Sequence, residues 1–488
     1  MPSRRELICG SGALAATAFL GGCAAGGAGA GGVVRPLTGE TPAPPSAPPQ
    51  PLPHGAISAA TLSVASRSAC RIGPGFAGLS YEKSALALPC FTADNADLAG
   101  LFRELGPSLL RIGGNTVDRT QWLDSGAGRV RGQVAPSDVD SLGAFLRACG
   151  WRVLYGVNLV SSTPAAAAAE VAYAAQSLGD SLFGIEIGNE PDLYGGGYFP
   201  GWTLSAFEQR WQEFRRAILA RTPNVVLTGA DCADHIGDWT VPFAADTAGQ
   251  IALLTQHYYR GPGKSPSATI ARLLSPDTDL AADLDTLRAG ALAAGVPFRL
   301  TETNSFWSGG APGVSDRYAA ALWVIDHLFR IAQGGGSGAN LHGGGGGYTP
   351  IADSNGTVVE ARPAYYGMRL FTLAGEGTLR NCALSAGELN LSAYALERAD
   401  ESLSLVVVNK EAAQNLSLSI DCGSAVDAAT LIALTGPAAD AASDVAIQGT
   451  AIGNDGRLPP ADPYALPHAG SLVHCYVGAL SAALIRIT

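Results

Sequence analysis

FGIEIGNEPDLYGGG, residues 183–197, carries the clearest sequence signal for the fold. Its apolar run from Phe183 to Ile187 predicts a buried β-strand, and the glycine and proline that follow predict the turn that ends it. Two glutamates, Glu186 and Glu190, lie in this stretch. Side chains four apart on a strand share a face, so both should point into one interior, about 13 Å apart at roughly 3.3 Å per residue. Glu190 comes at the end of the strand, so we expect it at the mouth of this interior and Glu186 deep inside. A buried carboxylate needs a partner, so Glu186 should have one there.

The same pattern, a short apolar run that ends in polar residues, recurs along the chain. Strands are predicted over residues 76–82, 108–114, 151–160, 182–190, 225–231, 251–259, 298–304 and 338–344. Helical patterns separate them; residues 203–223, for example, place five apolar side chains on one face. Eight strands that alternate with helices over roughly 290 residues predict an α/β fold, a (β/α)₈ or TIM barrel. No glycine-rich phosphate-binding motif follows the first strand, which argues against a nucleotide-binding fold.

The barrel is expected to cover residues 76–374. Beyond it, residues 375–488 show short alternating strands separated by turn residues, which predict an accessory all-β sandwich domain. Residues 57–75 have the same alternation, so we expect this N-terminal segment to join the sandwich. The sandwich would then be assembled from both ends of the chain.

The first residues are typical of a targeting segment. Residues 1–23 combine Arg4 and Arg5 with a short apolar run and the sequence LGGC, which resembles an export signal with a lipoprotein box at Cys23. The alternative is an ordinary cleaved signal with an incidental cysteine. Residues 24–56 are rich in glycine, alanine and proline and predict an extended tether. The expected location is therefore the periplasm or cell surface, with membrane contact only through the lipid anchor.

Charge and cysteine content narrow the function. The net charge of -11 argues against a nucleic-acid partner and against a long polyanionic substrate. Of nine cysteines, Cys9 and Cys23 fall in the signal, which leaves seven. A disulfide between Cys422 and Cys475 is one open pairing. No Cys/His spacing indicates a metal site, and no cofactor is predicted.

In a TIM barrel the active site lies where the strands end and the loops begin. The polar residues at those positions are Tyr81, Glu82, Arg111, Asn115, Asn158, Asn189, Glu190, Asp231, His257, Tyr258, Tyr259, Glu302, Asn304 and His342. Glu190 on strand four and Glu302 on strand seven face each other across the ring. Paired carboxylates suit glycoside cleavage, with retention of configuration expected at a separation of about 5 to 5.5 Å and inversion at a wider gap.

The ordered motifs resemble those of one enzyme family. GLSYE, LLRIGGN, FGIEIGNEPDLY, QHYY and LTETNS, followed by a terminal β-sandwich, are similar to glycoside hydrolase family 79, the β-glucuronidase and heparanase family of a large retaining (β/α)₈-barrel clan. The resemblance covers residues 61–488. It implies that Glu190 is the general acid/base and Glu302 the nucleophile, with a covalent glycosyl-enzyme between them.

The resemblance also implies substrate contacts. Asn189 would hydrogen-bond the sugar 2-hydroxyl, and Glu82 and Asn158 would contact other hydroxyls. Tyr258 is the candidate for the tyrosine that orients the nucleophile, with His257 or Tyr259 as alternatives.

One loop departs from the family pattern. In the family's glucuronidases the loop after the nucleophile binds the uronate carboxylate through a tyrosine hydroxyl and backbone N–H groups. Here that loop is SFWSGGAPG, residues 305–313, with Phe306 and Trp307 where the tyrosine hydroxyl is expected and Gly309 and Gly310 as N–H donors. We therefore expect a retaining β-glycosidase, first of all a β-D-glucuronidase. The alternatives are a β-glycosidase for a neutral or modified hexoside, and a non-catalytic glycan-binding surface protein.

Three further residues have structural expectations. Arg111 or Arg299 is expected to pair with Glu186 on the barrel floor, unless Glu186 is protonated. Asp231 is expected to tie the barrel together, and His342 to be a loop histidine without a chemical role.

Overall fold

The computed structural model describes residues 47–488. The predicted export signal and the predicted tether up to residue 46 lie outside the described residues. Within residues 47–488, each helix is too short or too polar to span a lipid bilayer.

Eight parallel strands form a closed barrel, as predicted. They are Ala77–Glu82, Leu109–Gly113, Arg152–Val157, Leu182–Ile187, Leu227–Cys232, Leu253–Tyr259, Phe298–Asn304 and Ala339–His342, numbered below as barrel strands one to eight. Each strand pairs with the next one along the chain, and strand eight closes the ring against strand one, with His342 opposite Ser80. Every predicted barrel strand overlaps one of these eight.

Helices cover the outside of the barrel. They are Ala96–Glu104, Pro136–Cys149, Pro164–Leu178, Leu204–Arg221, Val241–Asp246, Ile270–Leu274, Thr278–Ala294, Tyr318–Gln333 and Pro363–Ala374. Local sequence sets several of their starts: Thr163 and Thr203 accept hydrogen bonds from the N–H groups of the first turn that follows. In Leu204–Arg221 the buried side chains Phe207, Trp211, Phe214 and Ile218 form the predicted apolar face.

Most of the remaining strands form a curled sheet beside the barrel, and two short strand pairs, Gln121–Trp122 with Gln133–Val134 and Ile351–Ser354 with Thr357–Ala361, are separate from it. Its main strands are Ala56–Ile72, Gly377–Ser385, Leu391–Glu397, Leu403–Asn409, Gln414–Asp421, Ala429–Thr435, Leu472–Val477 and Ser481–Ile487. The N-terminal strand Ala56–Ile72 runs antiparallel to Gly377–Ser385 and parallel to Gln414–Asp421. The sheet has its own apolar core and fits the accessory sandwich domain. Tyr318 on a barrel helix donates to the carbonyl of Leu480 and joins the two parts.

The seven cysteines of residues 47–488 are free thiols, so the suggested disulfide between Cys422 and Cys475 does not form. Cys475 lies opposite Leu418, four residues from Cys422. That offset is about 13 Å along a strand, too far for a disulfide.

Candidate active site

Arg111, on barrel strand two, lies at the centre of the polar cluster. The buried guanidinium donates from Nε to Glu186 Oε2 (2.8 Å) and from Nη1 to Glu302 Oε2 (2.6 Å). Nη2 donates to Asn189 Oδ1 (2.8 Å) and to a carboxylate oxygen of Asp231. Arg111, and not Arg299, is thus the partner of Glu186. One guanidinium connects strands two, four, five and seven at the C-terminal end of the barrel.

Glu302 is held by a hydrogen-bond donor at each carboxylate oxygen. Tyr259 donates its hydroxyl hydrogen to Oε1 (2.8 Å), and Arg111 donates to Oε2. Burial opposes ionisation of this carboxyl group, but His342, His257, Arg111 and the Tyr259 hydrogen bond outweigh burial and lower its pKa to about 2. Glu302 is therefore an ionised carboxylate at neutral pH.

Glu190 follows strand four in a left-handed backbone conformation (φ 54°), which costs a non-glycine residue about 1–2 kcal/mol. Its N–H donates to the carbonyl oxygen of Asp231 (2.9 Å), which helps to hold the turn. The Glu190 carboxylate lies 3.0 Å from His257 Nδ1, and its side chain is 17% exposed. Glu190 can therefore meet both a ligand and solvent, whereas Glu302 is almost fully enclosed.

His257 and Asp231 connect the surroundings of the two carboxylates. His257 Nε2 lies 3.0 Å from Asp231 Oδ1, to which Thr301 also donates (2.8 Å). Burial opposes protonation of His257, but Asp231 and Glu302 raise its pKa well above the usual value. Burial likewise opposes ionisation of Asp231, yet Arg111 and His257 lower its pKa. Asp231 does tie the barrel together, and it does so inside the site.

The two candidate catalytic carboxylates are close. One oxygen of Glu190, one oxygen of Glu302 and a His257 nitrogen all lie within 4.8 Å of one another. Such a triad could in principle hold a metal ion. However, His257 already has a carboxylate oxygen beside each ring nitrogen, and Glu302 is bound to Arg111 and Tyr259. The donor set is that of a hydrogen-bonded acid/base network.

The structure corrects the assignment of Tyr258. Its hydroxyl donates to Asp277 Oδ1 (2.8 Å) on the outside of the barrel, and its ring stacks on His327. Tyr259 takes the predicted role instead. Neighbouring strand residues point to opposite faces, so His257 and Tyr259 face inward together while Tyr258 faces the helices.

Asn158 is also placed differently from the prediction. Its amide nitrogen donates to Thr120 O and Ser161 Oγ (both 2.9 Å), and its oxygen accepts from the Ser161 N–H (2.8 Å). The side chain is buried and shapes the loops after strands two and three. The Asn158 amide is therefore occupied by these loops and does not serve as the predicted sugar contact.

Glu82 and His342 form one side of the mouth. Glu82 is 27% exposed and accepts from the N–H and hydroxyl of Thr116 (2.8 and 2.6 Å). His342, for which we expected no chemical role, lies 3.5 Å from Glu302 Oε2 and 3.1 Å from Ser80 Oγ. His342 is the last residue of strand eight and not a loop residue as expected, and this position brings its imidazole beside Glu302.

The loop after strand seven forms another side of the mouth. Trp307 is 45% exposed, and Gly309 and Gly310 have positive φ angles (86° and 89°). Gly309 accepts from the N–H of Gly347 (2.6 Å), but its own N–H and that of Gly310 have no acceptor among residues 47–488. Tyr348 packs beside Tyr259 and His342. Sequence reasoning missed Tyr348, because only its position after a glycine run marks it.

Comparisons with known proteins agree with this architecture. No family model matches the chain. A β-glucuronidase of Aspergillus niger is 26% identical over 260 residues, and one of Neurospora crassa is 27% identical over 224 residues. These matches cover 47% and 39% of this chain and 48% and 39% of those proteins. The chain thus spans about half the length of the curated relatives it matches.

Solved structures show the same fold. A 4-O-α-L-rhamnosyl-β-D-glucuronidase from Fusarium oxysporum superposes with a TM-score of 0.72 at 19% identity, over 87% of this chain and 99% of that one. An α-L-arabinofuranosidase from Thermotoga maritima gives a TM-score of 0.67 at 16% identity, over 88% and 99%. The (β/α)₈ barrel with its accessory β-domain is shared with these glycosidases.

Proposed function

We propose that this protein is a retaining β-glycosidase of glycoside hydrolase family 79 that cleaves a terminal β-D-glucuronide. The observation that carries the proposal is the pairing of Glu190 with Glu302 on opposite strands. Their closest carboxylate oxygens lie within 4.8 Å, which suits the separation of about 5 to 5.5 Å that retention requires.

In the first step, Glu302 attacks the anomeric carbon while Glu190 gives its proton to the leaving oxygen. A glycosyl–Glu302 ester forms and the aglycone leaves as its alcohol. Arg111 and Tyr259 hold the Glu302 carboxylate in one orientation before attack. The Oδ1 atom of Asn189 accepts from Arg111, which directs the rest of its amide to the sugar 2-hydroxyl.

In the second step, Glu190 acts as a base. Esterification removes the negative charge of Glu302, and Glu190 takes a proton from a water molecule that attacks the anomeric carbon. The ester bond breaks, Glu302 leaves as a carboxylate, and the sugar is released with its original configuration. His257 keeps the Glu190 carboxylate in place through both steps (3.0 Å).

The loop after strand seven supports a uronate substrate. The free N–H groups of Gly309 and Gly310 and the indole N–H of Trp307 offer donors for a carboxylate. The curated relatives are both named β-glucuronidases. Trp307 in place of a hydroxyl donor favours a second candidate, a neutral or modified β-hexoside, because it offers a stacking face.

Location and partner follow from the same proposal. The substrate is a carbohydrate that meets the enzyme outside the cytoplasm, and residues 1–23 supply the export signal with lipid attachment at Cys23. The acidic net charge of -11 favours small glucuronides over long sulfated chains.

The test is a panel of aryl β-glycosides: glucuronide and galacturonide beside glucoside, galactoside and xyloside. We expect turnover of the glucuronide, with the β-anomer of the sugar as the first product by NMR. Glu302→Gln should abolish turnover, because an amide cannot form the ester. Unchanged activity of this variant, or release of the α-anomer, would contradict the mechanism. Turnover of a neutral hexoside alone would select the second candidate.

A further inference from the structure

Glu186 is a carboxylate of the central cluster to which the proposed reaction assigns no role. It is fully buried on strand four, and its Oε2 accepts from Arg111 Nε (2.8 Å). Its other oxygen, Oε1, has no hydrogen-bond partner among the described residues. A buried carboxylate with an unpaired oxygen is costly, so its retention needs an explanation.

Charge balance alone does not explain why a carboxylate is kept at position 186. Arg111 already pairs with Asp231 and with Glu302. A third carboxylate on the same guanidinium adds negative charge to the inside of the barrel. Burial and the charge of Asp231 oppose that charge and raise the pKa of Glu186. Among the described residues, Glu186 is the one acceptor for the Nε–H of Arg111.

That contact fixes the orientation of the guanidinium. The group is planar, and its five N–H bonds form a rigid fork. Once Nε is held by Glu186, the directions of Nη1 toward Glu302 and of Nη2 toward Asn189 are determined. Without Glu186 the fork can swivel among Glu302, Asn189 and Asp231, which are all within reach.

We propose that Glu186 is a positioning residue that acts through Arg111 to align the nucleophile Glu302 and the sugar-binding Asn189. The inference rests on the proposed function, since it assigns Glu302 and Asn189 the roles given above. Glu186 itself touches no reacting atom.

The groups that face Glu186 make its ionisation sensitive to pH. Burial first, and then the charge of Asp231, raise its pKa to about 7, while Arg111 and His257 oppose the rise. Arg299 on strand seven adds a more distant positive charge. Ionised Glu186 is the stronger acceptor, so the alignment weakens as the pH falls below about 7.

The test compares Glu186→Gln with Glu170→Gln. Glu170 is a matched control, because it is a buried carboxylate whose hydrogen-bond partners are Lys83 (2.7 Å) and Tyr155 (3.0 Å), neither of which belongs to the cluster around Arg111. We expect Glu186→Gln to lower kcat roughly 10- to 100-fold, as a small misplacement of reacting groups does, with KM changed less than about threefold. The acid limb of the pH profile near 7 should move or disappear, because an amide does not titrate. Glu170→Gln should lose thermal stability but keep kcat and the pH profile.

A double variant separates positioning from a general structural effect. In an Arg111→Lys background the fork is already lost, so adding Glu186→Gln should lower kcat by less than about twofold further. A full additional loss would overturn the inference, as would a Glu186→Gln enzyme with wild-type kcat and pH profile.

A measurement that does not depend on enzyme activity tests the inference separately from the proposed function. An inactive wild-type enzyme on every glycoside would refute the function alone. Nitrogen-15 NMR of arginine side chains should still show separate, slowly exchanging Nη signals for Arg111 in the wild type and in Glu170→Gln, and averaged signals in Glu186→Gln. Equally restricted signals in all three proteins would refute the positioning role of Glu186.

Discussion

At the scale of single residues, one guanidinium sets the geometry of the candidate site. Arg111 takes part in three ion pairs, with Glu186, Asp231 and Glu302. Its charge helps to keep Glu302 ionised although the carboxylate is buried. The same burial that makes each contact strong would make any unpaired member costly, so the cluster tolerates little change.

Adjacent tyrosines on strand six allow a matched test at this scale. Tyr259→Phe removes a hydroxyl donor from Glu302 (2.8 Å) and should raise the pKa of that carboxyl group above about 2. We expect kcat to fall by about 100-fold, the loss typical of one preorganised donor. Steady-state kinetics on an aryl β-glucuronide measures it.

Tyr258→Phe is the control. It removes the hydrogen bond to Asp277 (2.8 Å) outside the barrel, which should cost about 1 kcal/mol of unfolding free energy and leave kcat within about twofold. The reverse outcome, with activity lost in Tyr258→Phe and retained in Tyr259→Phe, would contradict the assignment of the two rings.

At the scale of elements, the glycines of three loops are explained by close backbone contact. A Cβ at Gly346, after strand eight, would lie 2.6 Å from Gly309 O, after strand seven. A Cβ at Gly310 would lie 2.9 Å from Ser315 Cβ, and one at Gly263, after strand six, would collide with Gly310 O. Three loops therefore interlock into one wall of the mouth, and only glycine lets the backbones meet.

Gly346→Ala should loosen this wall. The residue has a left-handed backbone (φ 69°) as well as the close contact, so we expect a loss of about 1–3 kcal/mol in unfolding free energy. Displacement of the loop that carries Gly309 and Trp307 should raise KM for the glucuronide roughly 10-fold.

Gly347→Ala is the matched neighbour, since its Cβ would make only an ordinary contact of 3.5 Å with Gly309 O. KM and melting temperature should stay near wild type. Equal effects of the two alanines would mean that the loop contact does not matter.

At the scale of the whole molecule, the accessory sheet combines a strand that precedes the barrel in the sequence with the strands that follow it. Strand Ala56–Ile72 lies inside the sheet, hydrogen-bonded to Gly377–Ser385 on one side and Gln414–Asp421 on the other. Barrel helix Tyr318–Gln333 then packs against the sheet, where Asp326 pairs with Lys410 (2.6 Å). We therefore expect the barrel and the sheet to fold together as one cooperative unit.

A truncation tests this dependence. A protein that starts at Gly73 lacks the inner strand and leaves two unpaired edges, so we expect aggregation or loss of the cooperative thermal transition. A protein that starts at Ala47 keeps the strand and serves as the control. Equal melting temperatures and soluble yields for the two would show that the strand is dispensable.

The helices and strands could be predicted from the sequence, because apolar periodicity and turn residues are local properties of the chain. All eight barrel strands, most strands of the accessory sheet and the carboxylates Glu190 and Glu302 could be located from it, whereas the strand Gly377–Ser385 was not among the predicted strands. Tertiary structure decided which polar groups meet. Strand register and loop closure decide that Tyr259 and not Tyr258 binds Glu302, and that His342 also lies beside Glu302. They also decide that the Asn158 side chain is bound by Thr120 and Ser161. Hydrogen bonds are satisfied across the barrel between residues far apart in sequence, and no local pattern records such pairs.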